Sequence, residues 1–315
     1  MRVGLDIGGT KTEAVAIDSA GTIVTRLRLA TDWGSDGVVR TVLAAVHAIA
    51  AEVADAAPIA SVGIGIPGQI EPRSGRVLHA VNLGIAELDL ADAVAAELGV
   101  SVRVENDVKA AAAGASAMRS AASGSPRGSV GEASGLMAYL NLGTGVAAGI
   151  VGARGLWRGA RGVAGEIGHL SIDPNGPLCR CGQRGCIETF AGGGAIMQRW
   201  GRPGVLPILD LFDSADGGDP HARMLRGDLA RGVAAAVRAL VLTADVDVVV
   251  LGGGITALGP RLRADISAEL AADGDASAFI RSLRLDERIE MLPTGSPAAA
   301  LGAALIGARG VLGHG

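Results

Sequence analysis

Aromatic residues are scarce in this chain of 315 residues; Phe, Tyr and Trp together make up 2% of it. A platform on which nucleic-acid bases stack is therefore not expected. The hydrophobic fraction is nonetheless 49%, so the core has to be assembled from Ala, Val, Leu and Ile. Cysteine is scarce as well, and three in a chain this long do not form a disulfide framework. Charge of either sign is not in excess: 28 basic residues against 32 acidic ones leave a net −4. This argues against the concentrated basic surface of a nucleic-acid binder and against a polybasic membrane anchor. The charged fraction of 19% is too low for a disordered chain. The 49 glycines show no three-residue period, which excludes collagen. No apolar run reaches the ~18 residues of a membrane span. Asp6 and Lys11 interrupt the first apolar stretch, so it is no signal peptide. A soluble cytoplasmic protein is expected.

The length allows about two domains. Residues 2–7 read as a buried strand, 8–11 as a Gly-Gly-Thr-Lys turn and 12–18 as a second strand. A turn at 18–22 leads to a third strand at 23–29. Residues 36–54 have helical periodicity, 59–66 read as a strand, 88–98 as a helix ended by Gly99, and 100–104 as a strand. A helix begins near Val108. This order is α/β with an added hairpin layer. Residues 119–135 are Ser/Gly-rich and read as an exposed flexible insertion. The opening pattern then returns: strand 136–142, turn Gly143-Thr144-Gly145, strand 146–151, with Asn141 matching Asp6. Such a duplication suggests two related domains facing each other across a cleft. Further on, 228–244 read as an amphipathic helix, 246–251 as a strand followed by Gly252-Gly253-Gly254, and 297–308 as a closing helix that packs back on the N-terminal domain.

Four stretches carry candidate chemistry. In Asp6–Thr12, Gly8 and Gly9 let the backbone turn its N–H groups toward a phosphate, while Thr10 and Lys11 add a hydroxyl and a cation. It is not a P-loop, which needs Lys directly after its glycine. Asp6 could hold Mg²⁺ directly or through water. A ligand-free hairpin is the plainer reading, and the echo at Gly143-Thr144-Gly145 weighs against it. The GxGxxG at 63–68 is discounted as a dinucleotide site, because Pro67 fits the turn badly and 69–86 is not helical; it reads as a strand end and turn in a cleft wall. Glu105-Asn106-Asp107 sits where α/β proteins place their sites, and a carboxylate there can take a proton from a substrate hydroxyl that Asn orients. Helix capping by Asn106 or Asp107 is the competing explanation.

The fourth stretch is the most specific. All three cysteines, Cys179, Cys181 and Cys186, lie within eight residues, and His169 stands ten before the first. One imidazole and three thiolates make a closed tetrahedral Zn²⁺ site of structural type. A disulfide is the weaker reading in a reducing cytosol. Glu166 and Glu188 bracket this loop; either they are surface carboxylates or zinc braces a loop that presents them to a polyhydroxyl ligand.

Together DIGGTK at 6–11, GIGIPG at 63–68, END at 105–107, LGTGV at 142–146, GEIGHL at 165–170, CxCGxxGCIE at 179–188 and VVLGGGI at 249–255 resemble the ROK family of bacterial sugar kinases. The resemblance implies a duplicated, ribonuclease H-like (actin-like ATPase) α/β fold of two domains with an interdomain cleft. It divides the chain into 1–108 plus 297–315 and 109–296, the latter with the zinc loop. It further implies that Asp107 is the general base for the attacking sugar hydroxyl. Gly68, Asn106, Asp107, Glu166, His169 and Glu188 would bind the sugar. Asp6, Gly8, Gly9, Thr10, Lys11, Gly143, Thr144 and Gly145 would hold the phosphates, with Gly252, Gly253 and Gly254 near adenosine. His169 would bind zinc through one ring nitrogen and sugar through the other. The implied partners are a sugar and ATP with Mg²⁺, and the implied assembly is a homodimer or homotetramer.

The chain departs from the family at Lys109, where Asn is usual, and at Ala147-Ala148, where a small-Gly-Gly pattern is usual. Phosphate and solvent are the two destinations open to Lys109. The expected activity is ATP-dependent conversion of glucose to glucose 6-phosphate. N-acetylhexosamine phosphorylation is the nearest alternative, and a non-catalytic sugar-responsive regulator is a more distant one. With the DIGGT strand opening the chain, no helix-turn-helix domain of a repressor is expected.

Overall fold

The computed structural model describes residues 1–53, 57–71, 74–122, 135–202 and 207–308. The chain opens with three strands, β1 (Arg2–Ile7), β2 (Lys11–Ile17) and β3 (Ile23–Ala30), then helix α1 (Gly34–Glu52) and strand β4 (Ser61–Ile66). Strands β5 (Gln69–Ile70), β6 (Val77–Ala80) and β7 (Ile85–Leu88) precede α2 (Leu90–Leu98), β8 (Ser101–Asn106) and α3 (Asp107–Ala122). The pattern restarts with β9 (Met137–Leu142), β10 (Val146–Gly152) and β11 (Gly155–Trp157). Helices α4 (Ile187–Ala191), α5 (Gly193–Trp200), α6 (Pro207–Asp216) and α7 (Pro220–Ala244) follow. The chain closes with β12 (Val248–Gly252), α8 (Pro260–Ala276), α9 (Ala278–Ser282), β13 (Ile289–Met291) and α10 (Ala298–Gly307).

The duplication seen in the sequence is a duplication of topology. One sheet runs β3-β2-β1-β4-β8 and the other β11-β10-β9-β12-β13. In the first, the β1–β2 and β2–β3 pairs are antiparallel, while β1–β4 and β4–β8 are parallel. In the second, β10–β11 is antiparallel, and β12 lies parallel to both β9 and β13. Asp6 stands opposite Gly65 in the first sheet as Asn141 stands opposite Gly252 in the second, so the matched polar residues occupy equivalent registers. Strands β5, β6 and β7 form a small antiparallel sheet between Gln69 and Leu88, where no strand was expected.

The chain divides into two compact units, 1–135 with 149–164 and 296–315, and 136–148 with 165–295. The expected division at 108/109 would separate α3 from the first unit. The structure keeps it there because α3 and α10 share a seam of very small residues. A Cβ on Gly302 would come within 1.8 Å of the Ala110 carbonyl oxygen, and one on Gly114 within 1.8 Å of that of Ala298. Helix α10 therefore joins the unit that holds the N-terminus, as the closing helix was expected to do. Within 63–68, a Cβ on Gly63 would meet the Ala303 carbonyl oxygen at 1.8 Å, so Gly63 serves helix packing on the sheet. On the other helical layer, Val38, Val42, Val46 and Ile49 of α1 are buried in one cluster with Leu5 and Ile7 of β1. Helix α7 begins at Pro220 rather than near Asp228, with the Asp219 carboxylate accepting from the N–H groups of His221 and Ala222. Of the Ser/Gly-rich stretch, 119–122 complete α3, and 123–134 lie outside the described residues.

Candidate active site

In the first unit the polar residues converge on the junction between β8 and α3. Glu105 and Asn106 finish the strand and Asp107 begins the helix. The Asn106 side chain ties the junction together. Its Nδ2 donates to the Gly68 carbonyl at 3.2 Å and to Asp107 Oδ1 at 3.0 Å. Its Oδ1 accepts from the N–H groups of Val108 at 3.1 Å and Lys109 at 3.2 Å. Asp107 Oδ1 also accepts from Val108 N–H at 2.9 Å. Helix capping and candidate chemistry thus coincide: the caps that satisfy the first turn also fix the orientation of the carboxylate. Gly68 has φ +111°, which disfavours any other residue, and a Cβ there would meet the Leu78 carbonyl oxygen at 2.8 Å.

Asp6 ends in the same electrostatic neighbourhood. Burial pushes its carboxyl up to about 7, and the negative charges of Asp107 and Glu13 push in the same direction, against the pull of Lys11. The adjoining turn closes with Gly8 N–H donating to the Lys11 carbonyl at 2.9 Å, which leaves Gly9, Thr10 and Lys11 exposed.

Lys109 is only 3% exposed, so solvent is not its destination. Its identity carries a signal that the sequence reading passed over. Of the 28 basic residues only two are lysines, and both stand beside candidate site residues, Lys11 in the first turn and Lys109 two positions after Asp107.

In the second unit the Gly143-Thr144-Gly145 turn is held from two sides. Gly193 N–H donates to the Gly143 carbonyl and Gly194 N–H to that of Thr144, both at 2.9 Å. This role of the glycines that open α5 was missed, although three successive glycines, 192–194, were its signal. Glu188 Oε2 accepts from Val146 N–H at 3.0 Å, and a Cβ on Gly145 would come within 2.4 Å of the same oxygen. One carboxylate oxygen of Glu188 is therefore committed to the turn. Gly253 packs on this turn too, since a Cβ there would meet the Leu142 carbonyl oxygen at 2.5 Å. The structure thus joins the 143–145 turn, Glu188 and the 252–254 turn. Glu166 is exposed and precedes a short 3-10 turn, Ile167–His169.

His169, Cys179, Cys181 and Cys186 place one ligand atom each within 4.8 Å of one another. Cys179 Sγ lies 3.8 Å from His169 Nδ1, and Cys181 Sγ lies 3.6 Å from Cys186 Sγ. Tetrahedral zinc with bonds of about 2.0–2.3 Å needs ligand separations of about 3.6–3.8 Å, which these two pairs have, so the four residues are a donor set that could hold the ion. With Nδ1 toward the thiols, His169 keeps Nε2 for another partner. The thiols differ in environment. The Gln183 backbone N–H, followed by its side chain, lowers Cys181 to about 6, whereas burial raises Cys186 to about 12 and also raises Cys179.

The ROK family matches residues 2–307. The chain belongs to the ROK family. A glucokinase from Halalkalibacterium halodurans is 30% identical over 289 residues, covering 82% of each chain. An N-acetylmannosamine kinase from Yersinia pseudotuberculosis is 32% identical over 257 residues, covering 80% of this chain and 82% of that one. The crystal structure of a ROK family glucokinase from Streptomyces griseus, in complex with glucose and AMPPNP, aligns with TM-score 0.74 and 29% identity over 98% of this chain and 99% of that one. The duplicated sheets described above are accordingly those of the actin-like ATPase fold in its ROK form. No helix among the described residues is long and apolar enough to cross a membrane.

Proposed function

We propose that this ROK sugar kinase is a cytoplasmic enzyme that transfers the γ-phosphoryl group of ATP to a hexose, with glucose as the preferred acceptor. The observation that carries the reading is the Asp107 carboxylate, held at the head of α3 by Val108 N–H and the Asn106 amide. Asp107 takes the proton of the attacking hydroxyl, a contribution of typically ~10²–10⁴-fold. Asn106 holds the carboxylate that receives this proton, and Glu166, His169 and Glu188 bind other hydroxyls. Gly8 to Lys11 and Gly143 to Gly145 hold phosphates, and Gly252 to Gly254 lie near the adenosine. The oxygen–phosphorus bond to the sugar forms as the β–γ bridge breaks and ADP leaves; the protein supplies position and charge. Asp6 would act on the Mg²⁺ that accompanies ATP, which neutralises developing charge. His169 and the three cysteines would hold a structural zinc that braces the loop before Glu188.

N-acetylmannosamine as acceptor is the second reading, favoured by the relative of that activity at 32% identity. A coupled ADP-release screen over glucose, mannose, N-acetylglucosamine, N-acetylmannosamine and fructose decides between them. Turnover on glucose at the highest kcat/KM supports the first reading, and turnover on none of the five overturns both. Asp107→Asn keeps sugar binding and loses nearly all turnover; retained turnover refutes the base assignment.

A further inference from the structure

Glu105 and Arg158 take no part in the phosphoryl transfer, yet the structure pairs them. Arg158 Nε donates to Glu105 Oε2 at 2.7 Å across 53 residues of sequence. Glu105 is only 6% exposed, so its charge has been taken out of water and depends on this partner. Its other oxygen, Oε1, accepts from Asn106 N–H at 3.1 Å. Strand β8 is the edge of its sheet, so one carboxylate secures the last strand amide before the candidate base. Arg158 opens a closed loop: its carbonyl accepts from Ala164 N–H at 3.1 Å, and Gly159 and Gly162 both take positive φ. The chain leaves this loop directly into Gly165 and Glu166.

We propose that the Glu105–Arg158 pair is a positioning device for the sugar-acceptor residues. It locks the backbone of Asn106, and through it Asp107, to the loop that Arg158 and Ala164 close. The kinetic part of this inference rests on the sugar-kinase reading; the backbone part does not. The test compares Glu105→Gln, Arg158→Met, their combination and Arg158→Lys. The combined variant leaves no buried charge without a partner, so it folds even if a single variant does not. In the combined variant kcat falls and sugar KM rises, lowering kcat/KM for the sugar by about 10–100-fold, the scale on which small misplacements act. ATP KM stays within about twofold, and Arg158→Lys recovers most of the loss. Independently of turnover, hydrogen exchange at Asn106, Val108 and Lys109 speeds up by about tenfold, while the later turns of α3 are unchanged. If exchange there stays at the wild-type rate, the positioning proposal is overturned whether or not the wild type phosphorylates a sugar. If exchange rises while kcat and sugar KM remain wild-type, the link to catalysis is overturned. Absence of wild-type turnover on every sugar overturns the kinase reading alone.

Discussion

Asp6 and Asp107 are two carboxylates in one low-dielectric neighbourhood, and only Lys11 pulls Asp6 back toward ionisation. The consequence is a stability that depends on pH. Asp6 moves from an ordinary value of 3.8 to about 7 on folding, so the native state holds its proton where the unfolded chain has lost it. The associated stabilisation is complete below pH 4 and is lost as pH rises through 7. Asp6→Asn keeps a neutral side chain at every pH. Relative to that variant, wild-type stability falls between pH 4 and pH 8 by an amount on the order of 2–4 kcal/mol. Urea unfolding of both proteins at several pH values measures it; a constant difference across that range would refute the assignment. Lys109 marks the other residue-scale lesson. Its helix position could be read in the chain, but not its burial under β10, which comes so close that a Cβ on Gly149 would lie 3.3 Å from Lys109 Cα.

At the scale of elements, two seams determine what the residues can do. The first is the contact of α3 with α10, which is possible only because Gly114 and Gly302 have no side chain. Gly302→Ala forces a methyl group into the Ala110 carbonyl and costs about 3 kcal/mol, the upper end of overpacking penalties. Thermal or denaturant unfolding checks this, and a variant as stable as the wild type would show that the helices can part cheaply. The second is the cysteine loop, which cross-links itself through Ile172 N–H to the Gly185 carbonyl and Ile187 N–H to that of Leu170. Cys181→Ser removes the most exposed thiol ligand. If the four residues hold zinc as proposed, the variant loses it by elemental analysis and raises the sugar KM while ATP KM holds. Normal sugar affinity in zinc-free protein would show that the loop needs no brace.

For the molecule as a whole, the two sheets share a strand order that no local pattern states. The repeat of a Gly/Thr turn after a polar strand residue hinted at it, and the registers of Asp6 and Asn141 bear it out. The unit boundary was displaced because α3 follows the END motif in sequence but packs on a helix that closes the chain nearly two hundred residues later. The acceptor screen belongs to this scale, since glucokinase and N-acetylmannosamine kinase relatives stand at nearly equal identity.

The sequence alone determined what depends on near neighbours along the chain. The glycine turns, the strand and helix periods, the His169 and cysteine donor set, and the Asn106–Asp107 cap each involve residues close enough for spacing to report geometry. Tertiary structure decided what depends on distant partners. The Asn106 bond to Gly68 spans 38 residues and the Arg158 bond to Glu105 spans 53. The burial of Lys109 and the place of α10 are settled in the same way. Local hydrogen bonding and side-chain period constrain only the next few residues. Which distant surfaces meet is decided by packing of the whole core, where the absence of a single Cβ chooses the partner.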